Sequence, residues 1–432
     1  MTPAARPGGL RVGAAVVDVT PADTELPAPF VGIDDPIAAR AIVVDDGSAR
    51  AALVAVDIVG LGSEVWAEVA DRIATEHGIA ADRLVLSATH THSVPSSLGP
   101  RLVGSIVDAV GRAAAAVQPA TLSVGLGDCH INVNRTLFDT AVGQWREGRD
   151  DQGPSDKTLA VLVFRALDER PIAVWFQYAV HGVVTGLRDL IGPDIPGFAS
   201  AHVEAALGPE VVAMFSSGCA GDQNPIVYRQ TVELRARRVA EHAARGIDIS
   251  NDMPPGGVGL DRDDPVVARL LDEQRRVAQA LGVVLAEDVL TVVAERCDRP
   301  RTAVRVTGAQ RVVELPGRRR TDRGRAGRPG EYVDADPVPL RIGVLRLGDV
   351  VLGWVDAEVF TEIGQRLRRE SPARYTLLST LTNGWAPSGY VASNTAAGFH
   401  TFEVLASSLQ PGRAEAAIVA TVLDLAAETA AD

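Results

Sequence analysis

Between residues 11 and 130 the chain alternates between short apolar runs and stretches with helical spacing, and this alternation limits the fold class more than any other feature. Residues 12–18, 41–44 and 52–57 predict strands, whereas residues 64–76 and 103–117 predict helices. Interleaved strands and helices are typical of α/β proteins. We therefore expect an α/β (α+β) fold in which helices flank mixed β-sheets.

Two histidines, His90 and His92, follow an apolar run at residues 83–86 that predicts a buried strand. Side chains two residues apart on a strand point to the same face, so both imidazoles would project together from its carboxyl end. Imidazole binds Zn²⁺ through a neutral ring nitrogen, so the pair suits a metal site at the strand ends. Two hydrogen-bonded polar residues would give the same pattern. A third histidine, His181, ends another apolar run in a chain with only eight histidines, and this favours the metal site.

The rest of the chain continues the mixture of strands and helices. We expect strands or hairpins at residues 158–180, 211–215, 340–347 and 350–355, and helices at residues 231–245, 265–288 and 413–429. The Arg- and Gly-rich stretch at residues 318–330 predicts a solvated loop. We expect residues 1–432 to form one catalytic domain.

Composition restricts the partners and the compartment. A net charge of −13 does not favour nucleic acid or an anionic membrane as a partner. No run of 18 or more apolar residues occurs, so we expect no membrane span. The three cysteines show no CxxC spacing, which excludes a disulfide scaffold or a cysteine-based zinc site. The first residues lack an apolar signal region, which predicts a cytoplasmic protein of undetermined oligomeric state.

Three further polar residues follow predicted strands. Asp194 lies in a segment that predicts a turn near the same strand end as His181. Glu358 is expected to open a helix, where the helix dipole favours a carboxylate. Tyr390 is expected where a loop meets a strand. Spacing alone does not connect these residues to the histidine pair.

Eight segments in order resemble the catalytic domain of the neutral/alkaline ceramidases, which are zinc amidases. The segments are residues 12–21, 87–93, 134–136, 179–181, 194–199, 221–225, 357–364 and 388–391. The resemblance implies that His90, His181, Glu358 and Tyr390 bind Zn²⁺. Two imidazoles and a carboxylate suit a catalytic zinc with an open water position.

The resemblance also implies roles for residues around the metal. His92 would act as an acid/base or an oxyanion donor, and Arg135 would orient the substrate or polarise its carbonyl group. We expect Asn224 to be catalytic as a donor to the oxyanion. The remaining expected residues contact the substrate: Asp194, Asp222 and Phe402.

Several departures from the family pattern bear on the substrate. Asn224 replaces the family's loop serine, and Phe402 replaces a tyrosine that precedes a glutamate. The chain also leaves no room for the C-terminal immunoglobulin-like domain of secreted ceramidases. These departures argue against membrane ceramide and favour a small, soluble N-acyl substrate.

The leading hypothesis is a zinc-dependent amidohydrolase. Zinc lowers the pKa of bound water from about 16 to about 7, and the resulting hydroxide would attack an amide carbonyl. One alternative is a biosynthetic enzyme that forms an amide, an ester or a ring in secondary metabolism. A second is a catalytically silent metal- or ligand-binding protein. Phosphoester cleavage is less suited, because the chain lacks extra ligands for a two-metal centre near His90.

Overall fold

The computed structural model describes residues 9–186, 188–249, 260–322 and 326–431. The strands are β1 (Arg11–Asp18), β2 (Gly32–Ile33), β3 (Ala38–Asp45), β4 (Arg50–Val56), β5 (Leu84–Ala88), β6 (Gln118–Asp128), β7 (Asn132–Asp139), β8 (Gln144–Asp150), β9 (Thr158–Ala166), β10 (Pro171–Tyr178), β11 (Leu190–Ile191), β12 (Val212–Ser217), β13 (Gln223–Pro225), β14 (Val306–Arg320), β15 (Tyr332–Leu347), β16 (Val350–Val355), β17 (Glu358–Val359), β18 (Tyr375–Ser379) and β19 (Tyr390–Val391). The α-helices are α1 (Ser63–His77), α2 (Arg101–Ala115), α3 (Asp194–Leu207), α4 (Arg229–Ala244), α5 (Pro265–Thr291), α6 (Thr361–Glu370), α7 (Phe402–Ala406) and α8 (Ala414–Ala431). Short 3₁₀ turns occur at Asp23–Glu25, Ala81–Arg83 and Ala396–Phe399, and α5 continues into a π-helical turn at Val292–Arg296.

The largest sheet has eight strands in the order β12-β10-β9-β6-β1-β3-β4-β5. Its strands pair antiparallel except at the two edges, where β10 runs parallel to β12 and β4 runs parallel to β5. A second sheet of four strands, β14-β15-β16-β18, is also mixed. The chain alternates strand and helix from β4 to β6, which gives this mixed pairing and confirms the predicted fold class.

Strand alternation divides the apolar side chains between two kinds of core. One face of the large sheet shares a cluster with the four-stranded sheet, in which Phe164 and Trp175 meet Trp354. On the other face α1 and α2 cover β1, β3, β4 and β5, and α3 and α5 cover the half that includes β9 and β10. Helices α6 and α8 cover the free face of the four-stranded sheet. Helices thus flank both sheets, as expected.

Three local predictions were wrong. Residues 194–197 form the first turn of α3 and not an isolated turn. Glu358 lies in the two-residue strand β17, and α6 begins only at Thr361. Arg318–Arg320 belong to β14, because their backbone pairs with β15. Residues 323–325 of the expected loop lie outside the described residues, and the assignment of residues 1–432 to one domain stays a prediction.

One stretch, Pro265–Arg296, is long and apolar enough to cross a membrane by length and composition alone. Core helices of globular proteins meet the same test. The apolar face of α5 carries Leu270, Leu281 and Leu285, which are buried against neighbouring elements, and the helix packs on α3. This packing is what a core helix shows.

Candidate metal centre and active site

The histidine pair follows β5 in a tight turn and not on the strand itself. Strand β5 ends at Ala88, and His90 has a φ of 66°, in the left-handed region that non-glycine residues rarely adopt. We expected strand alternation to align His90 with His92, and this prediction was wrong. The turn brings the rings together instead, with centroids 4.7 Å apart and their Nε2 atoms 3.3 Å apart.

His181 reaches the same point from the end of β10. The segments that follow β5 and β10 pair at an isolated β-bridge between Thr91 and Gly182. The His92 N–H donates to the Gly182 carbonyl at 2.8 Å. The His181 ring centroid lies 4.6 Å from that of His90. One ring nitrogen of each of the three histidines lies within 4.8 Å of the others.

Glu358 supplies a carboxylate to this group from β17, shortly after the last residue of β16. Its Oε2 lies 3.2 Å from the Nε2 atoms of both His90 and His181. His90, His181 and Glu358 are all buried, whereas His92 is partly exposed. The buried members therefore face each other, and His92 lies on the accessible side.

Backbone carbonyl groups fix the tautomers of the two buried histidines. His90 Nδ1 lies 2.6 Å from the carbonyl oxygen of Val59, and His181 Nδ1 lies 3.2 Å from that of Gln223. A carbonyl oxygen only accepts, so each Nδ1 carries the proton and each Nε2 presents a lone pair to the Glu358 carboxylate.

This donor set fits a metal ion. The two Nε2 lone pairs and the carboxylate oxygen that point at one another are all acceptors, with no proton between them. A cation at this point would accept electron density from all three. A tetrahedral zinc site with bonds of about 2.0–2.1 Å places neighbouring ligand atoms about 3.3 Å apart. The observed spacings of 3.2 Å match that value. The Nδ1 contacts are those that orient metal-binding histidines in proteins.

Burial sets the protonation states of the group. Burial, followed by the charge of Arg135, lowers the pKa of His181 to about 4. Burial and the neighbouring His90 lower the pKa of His92 well below its ordinary value. Neutral imidazoles and an ionised carboxylate at neutral pH are the forms that bind metals.

Arg135 lies beside the metal group and is 4% exposed at its side chain. Its Nε lies 2.7 Å from Glu403 Oε1 in a buried ion pair, and its Nη2 donates to the Gly221 carbonyl at 2.7 Å. Nη2 also donates to the Tyr390 hydroxyl at 3.3 Å, and Nη1 donates to Asn224 Oδ1 at the same distance. Four partners from different elements thus fix one guanidinium.

Two aromatic rings complete this cradle. Tyr390 pairs through its backbone with Glu358 in the β17–β19 sheet, which brings its phenol near the metal group. Phe402 packs edge-on against Tyr390 with centroids 5.8 Å apart, and the Arg135 guanidinium lies 5.1 Å from the Phe402 ring centre. Burial, and then the charge of Glu358, raises the pKa of Tyr390 well above its ordinary value. Its role as a fourth ligand stays a prediction.

Asn224 lies in this cradle, but its amide group faces the protein on both sides. Its Oδ1 accepts from Arg135, and its Nδ2 donates to Glu147 Oε1 at 3.4 Å. The other Glu147 oxygen accepts from Arg235 at 2.6 Å. Burial would raise the pKa of Glu147, but Arg135 and Arg235 hold it below its ordinary value.

The two aspartates expected to bind substrate accept hydrogen bonds from protein groups, and their contact with a substrate stays a prediction. Asp194 is fully buried, with Oδ2 accepting from the Thr185 N–H and hydroxyl and Oδ1 accepting from the N–H of Ile195. Asp222 Oδ1 accepts from the Thr361 N–H, and its Oδ2 accepts from the side chain of Asn134. Burial raises the pKa of Asp222 to about 6. Both carboxylates fasten chain segments around the site, because their oxygens are occupied by protein donors.

Sequence reasoning missed three contributors to the site. Glu403 had a signal, since it follows Phe402 in a pair noted for its family counterpart. Glu147 and the Val59 carbonyl had none, because a polar hairpin strand and a backbone oxygen carry no distinctive pattern.

Comparisons with known proteins point to one family. The chain is 24% identical over 317 residues to the neutral ceramidase of Drosophila melanogaster, which is 65% of this chain and 42% of that protein. It is 26% identical over 229 residues to the neutral ceramidase of Drosophila pseudoobscura pseudoobscura, which is 45% of this chain and 32% of that protein. The chain thus spans less than half the length of these curated relatives. No protein-family model matches the chain.

Two solved ceramidase structures share the fold. A ceramidase complexed with C2 matches with a TM-score of 0.71 and 18% identity, over 98% of this chain and 75% of the other. The neutral ceramidase from Pseudomonas aeruginosa matches with a TM-score of 0.68 and 18% identity, over 98% of this chain and 74% of the other.

The architecture is therefore that of the ceramidases. The chain is thus similar in sequence to neutral ceramidases and shares their fold. These findings bear out the resemblance expected from the eight ordered segments.

Proposed function

We propose that this protein is a zinc-dependent amide hydrolase that acts on an N-acyl compound. The observation that carries the proposal is that Glu358 Oε2 lies 3.2 Å from Nε2 of both His90 and His181. The similarity to neutral ceramidases supports the amide as the reacting group. A zinc ion bound there would act as a Lewis acid and lower the pKa of a water molecule.

The chain's own residues would hold the substrate and move protons. His92 is the accessible imidazole, so it is placed to exchange a proton with the substrate nitrogen or with solvent. Arg135 presents fixed positive charge beside Tyr390, where it would attract the oxygen of an amide carbonyl. Because Arg135 is already held by Glu403 and Gly221, little reorganisation would accompany the reaction.

An apolar groove supports an acyl group as part of the substrate. A groove of ≈ 360 Å³ lies between the start of α1 and the start of α2, lined by residues that include Leu61, Pro95 and Leu98. One wall is formed by residues on either side of Val59, whose carbonyl oxygen contacts His90. The other wall begins at Pro95, three residues after His92 in the sequence. Pockets of this size and character bind small apolar ligands.

Metal analysis combined with a substrate panel tests the proposal. Purified protein would be loaded with zinc, and release of free carboxylate or amine would be followed for N-acyl amino acids, N-acyl amines and ceramides. We expect hydrolysis that chelation abolishes and zinc restores. Zinc uptake without turnover of any compound would contradict the hydrolase and favour a silent binding protein, whereas product of higher mass from an acyl donor would favour a biosynthetic enzyme.

The preference for a soluble substrate and the cytoplasmic location are further proposals. The first rests on Asn224 and Phe402, which replace two hydroxyl-bearing family residues. Fractionation of the producing cells tests the second.

A further inference from the structure

We propose that Glu147 is a positioning residue of this site, which acts through Asn224 to hold Arg135 in place. The inference rests on the hydrolase function proposed above, because Arg135 is the group that would meet the substrate carbonyl. Glu147 contacts none of the candidate metal ligands in the described part of the chain, so its effect would reach the reaction only through Arg135.

The orientation of the Asn224 amide follows from its two partners. Arginine can only donate and an ionised carboxylate can only accept. Asn224 Oδ1 must therefore face Arg135 Nη1, 3.3 Å away, and Nδ2 must face Glu147 Oε1, 3.4 Å away. Without Glu147 the amide loses one of the two partners that select this orientation, and the acceptor of Arg135 Nη1 is no longer held from its far side.

Glu147 is itself fixed from outside the site. Arg235 of α4 donates to its second oxygen at 2.6 Å, and the Glu147 side chain is 20% exposed. A continuous line of polar contacts thus runs from Arg235 through Glu147 and Asn224 to Arg135. A partly buried carboxylate in this line adds nothing to apolar packing. Its position instead suits a residue that holds the Asn224 amide, and through it Arg135, in one orientation.

A second contact joins the two segments that hold Arg135, the one that carries Glu147 and the one that carries Glu403. Trp145 lies two residues before Glu147 on β8, and its ring stacks on Phe399 with centroids 4.0 Å apart and planes inclined by 22°. Phe399 precedes the segment that carries Glu403, the ion-pair partner of Arg135. The segments that carry Glu147 and Glu403 therefore contact each other, in addition to holding Arg135.

A double-mutant cycle tests the proposal in the metal-loaded full chain. We expect Glu147→Ala to lower kcat/KM about 10–100-fold, the usual effect of a group that orients a site residue, with unchanged zinc content. Glu147→Gln keeps an oxygen for Asn224 Nδ2 and should retain more activity than Glu147→Ala. In an Asn224→Ala background, Glu147→Ala should lower kcat/KM little further, because the contact from Glu147 through Asn224 to Arg135 is already lost. Independent, additive losses would overturn the proposal.

Glu273→Ala is the matched control. Glu273 is a residue of α5 that is 28% exposed. It accepts from the Gln230 side-chain amide at 3.3 Å and pairs with Arg229, both on α4, and its partners are not residues of the candidate site. Its replacement should leave kcat/KM unchanged.

Crystal structures provide a readout that does not need activity. In Glu147→Ala we expect the Asn224 amide to turn and Arg135 Nη1 to move out of hydrogen-bond distance of Asn224 Oδ1. Unchanged positions of both side chains would overturn the proposal. If the wild-type protein hydrolyses no N-acyl compound, the hydrolase function fails, and these structures alone decide whether Glu147 positions Arg135.

Discussion

The carbonyl oxygen of Val59 lies 2.6 Å from Nδ1 of His90. This contact assigns the ring proton to Nδ1 and turns the Nε2 lone pair toward Glu358. A backbone atom from a different loop thus orients the side chain in the way a metal ligand would require.

We expect the protein to bind about one zinc ion per chain, since the described residues contain one set of converging histidine and carboxylate donors. His90→Ala and His181→Ala should each remove the metal, as measured by elemental analysis after dialysis. His202→Ala is the control, because His202 pairs with Glu287 on the surface at 2.7 Å. Full zinc occupancy in either site variant would exclude that residue as a ligand.

His92→Ala should keep its zinc and lose about 10²–10⁴ in kcat, the usual contribution of a general acid or base. The reason is that His92 is the exposed member of the histidine group and lacks a contact with Glu358 among those observed. Zinc content and kcat are measured on the same preparation. Loss of metal would instead make His92 a ligand.

Gly182→Ala should weaken metal binding. A Cβ atom there would lie 2.9 Å from the His90 carbonyl oxygen and 3.1 Å from Thr91 Cα, so the turn that carries His90 would have to shift. Gly104→Ala is the control: it lies in α2 with open space around its Cβ, and it should stabilise the fold by up to about 1 kcal/mol. Zinc titration and thermal unfolding of both variants measure the effects. Wild-type affinity in Gly182→Ala would show that the turn tolerates the displacement.

Long-chain ceramide should be hydrolysed more slowly than a water-soluble N-acyl compound at equal zinc loading. Phe402→Tyr returns a hydroxyl group beside Arg135, whose guanidinium lies 5.1 Å from the ring centre. We expect this variant to raise the ratio of ceramide to soluble-substrate turnover. Comparable wild-type rates on both substrates would show that Asn224 and Phe402 do not set the preference.

The sequence predicted those parts of the fold in which apolar side chains alternate or cluster. Strands β5, β9 and β10 are buried on both faces and carry continuous apolar runs. Strand β7 was missed because Asn132, Asn134 and Arg135 are buried polar residues that interrupt the apolar pattern. The first half of β15 is exposed, so solvent rather than a core selects its residues.

Local patterns could suggest a metal ligand but could not assemble the site. The His90–His92 pair was noticeable because both residues follow an apolar run, although the expected strand geometry was wrong. Glu358 lies far along the chain and in another sheet, and only the family resemblance connected it to His90. Glu147 is joined to the site by tertiary contacts alone, which no sequence period encodes.

The donors of the candidate centre follow β5 and β10 of the large sheet and β16 of the smaller one. An ion held there would link segments that an unfolded chain keeps far apart, and unfolding would have to release it. The folded state would then be favoured by mass action, by about 4 kcal/mol when free zinc is at 1,000 times its dissociation constant. The supply of zinc would thereby govern how much of the protein persists in a cell, as well as how fast each molecule works.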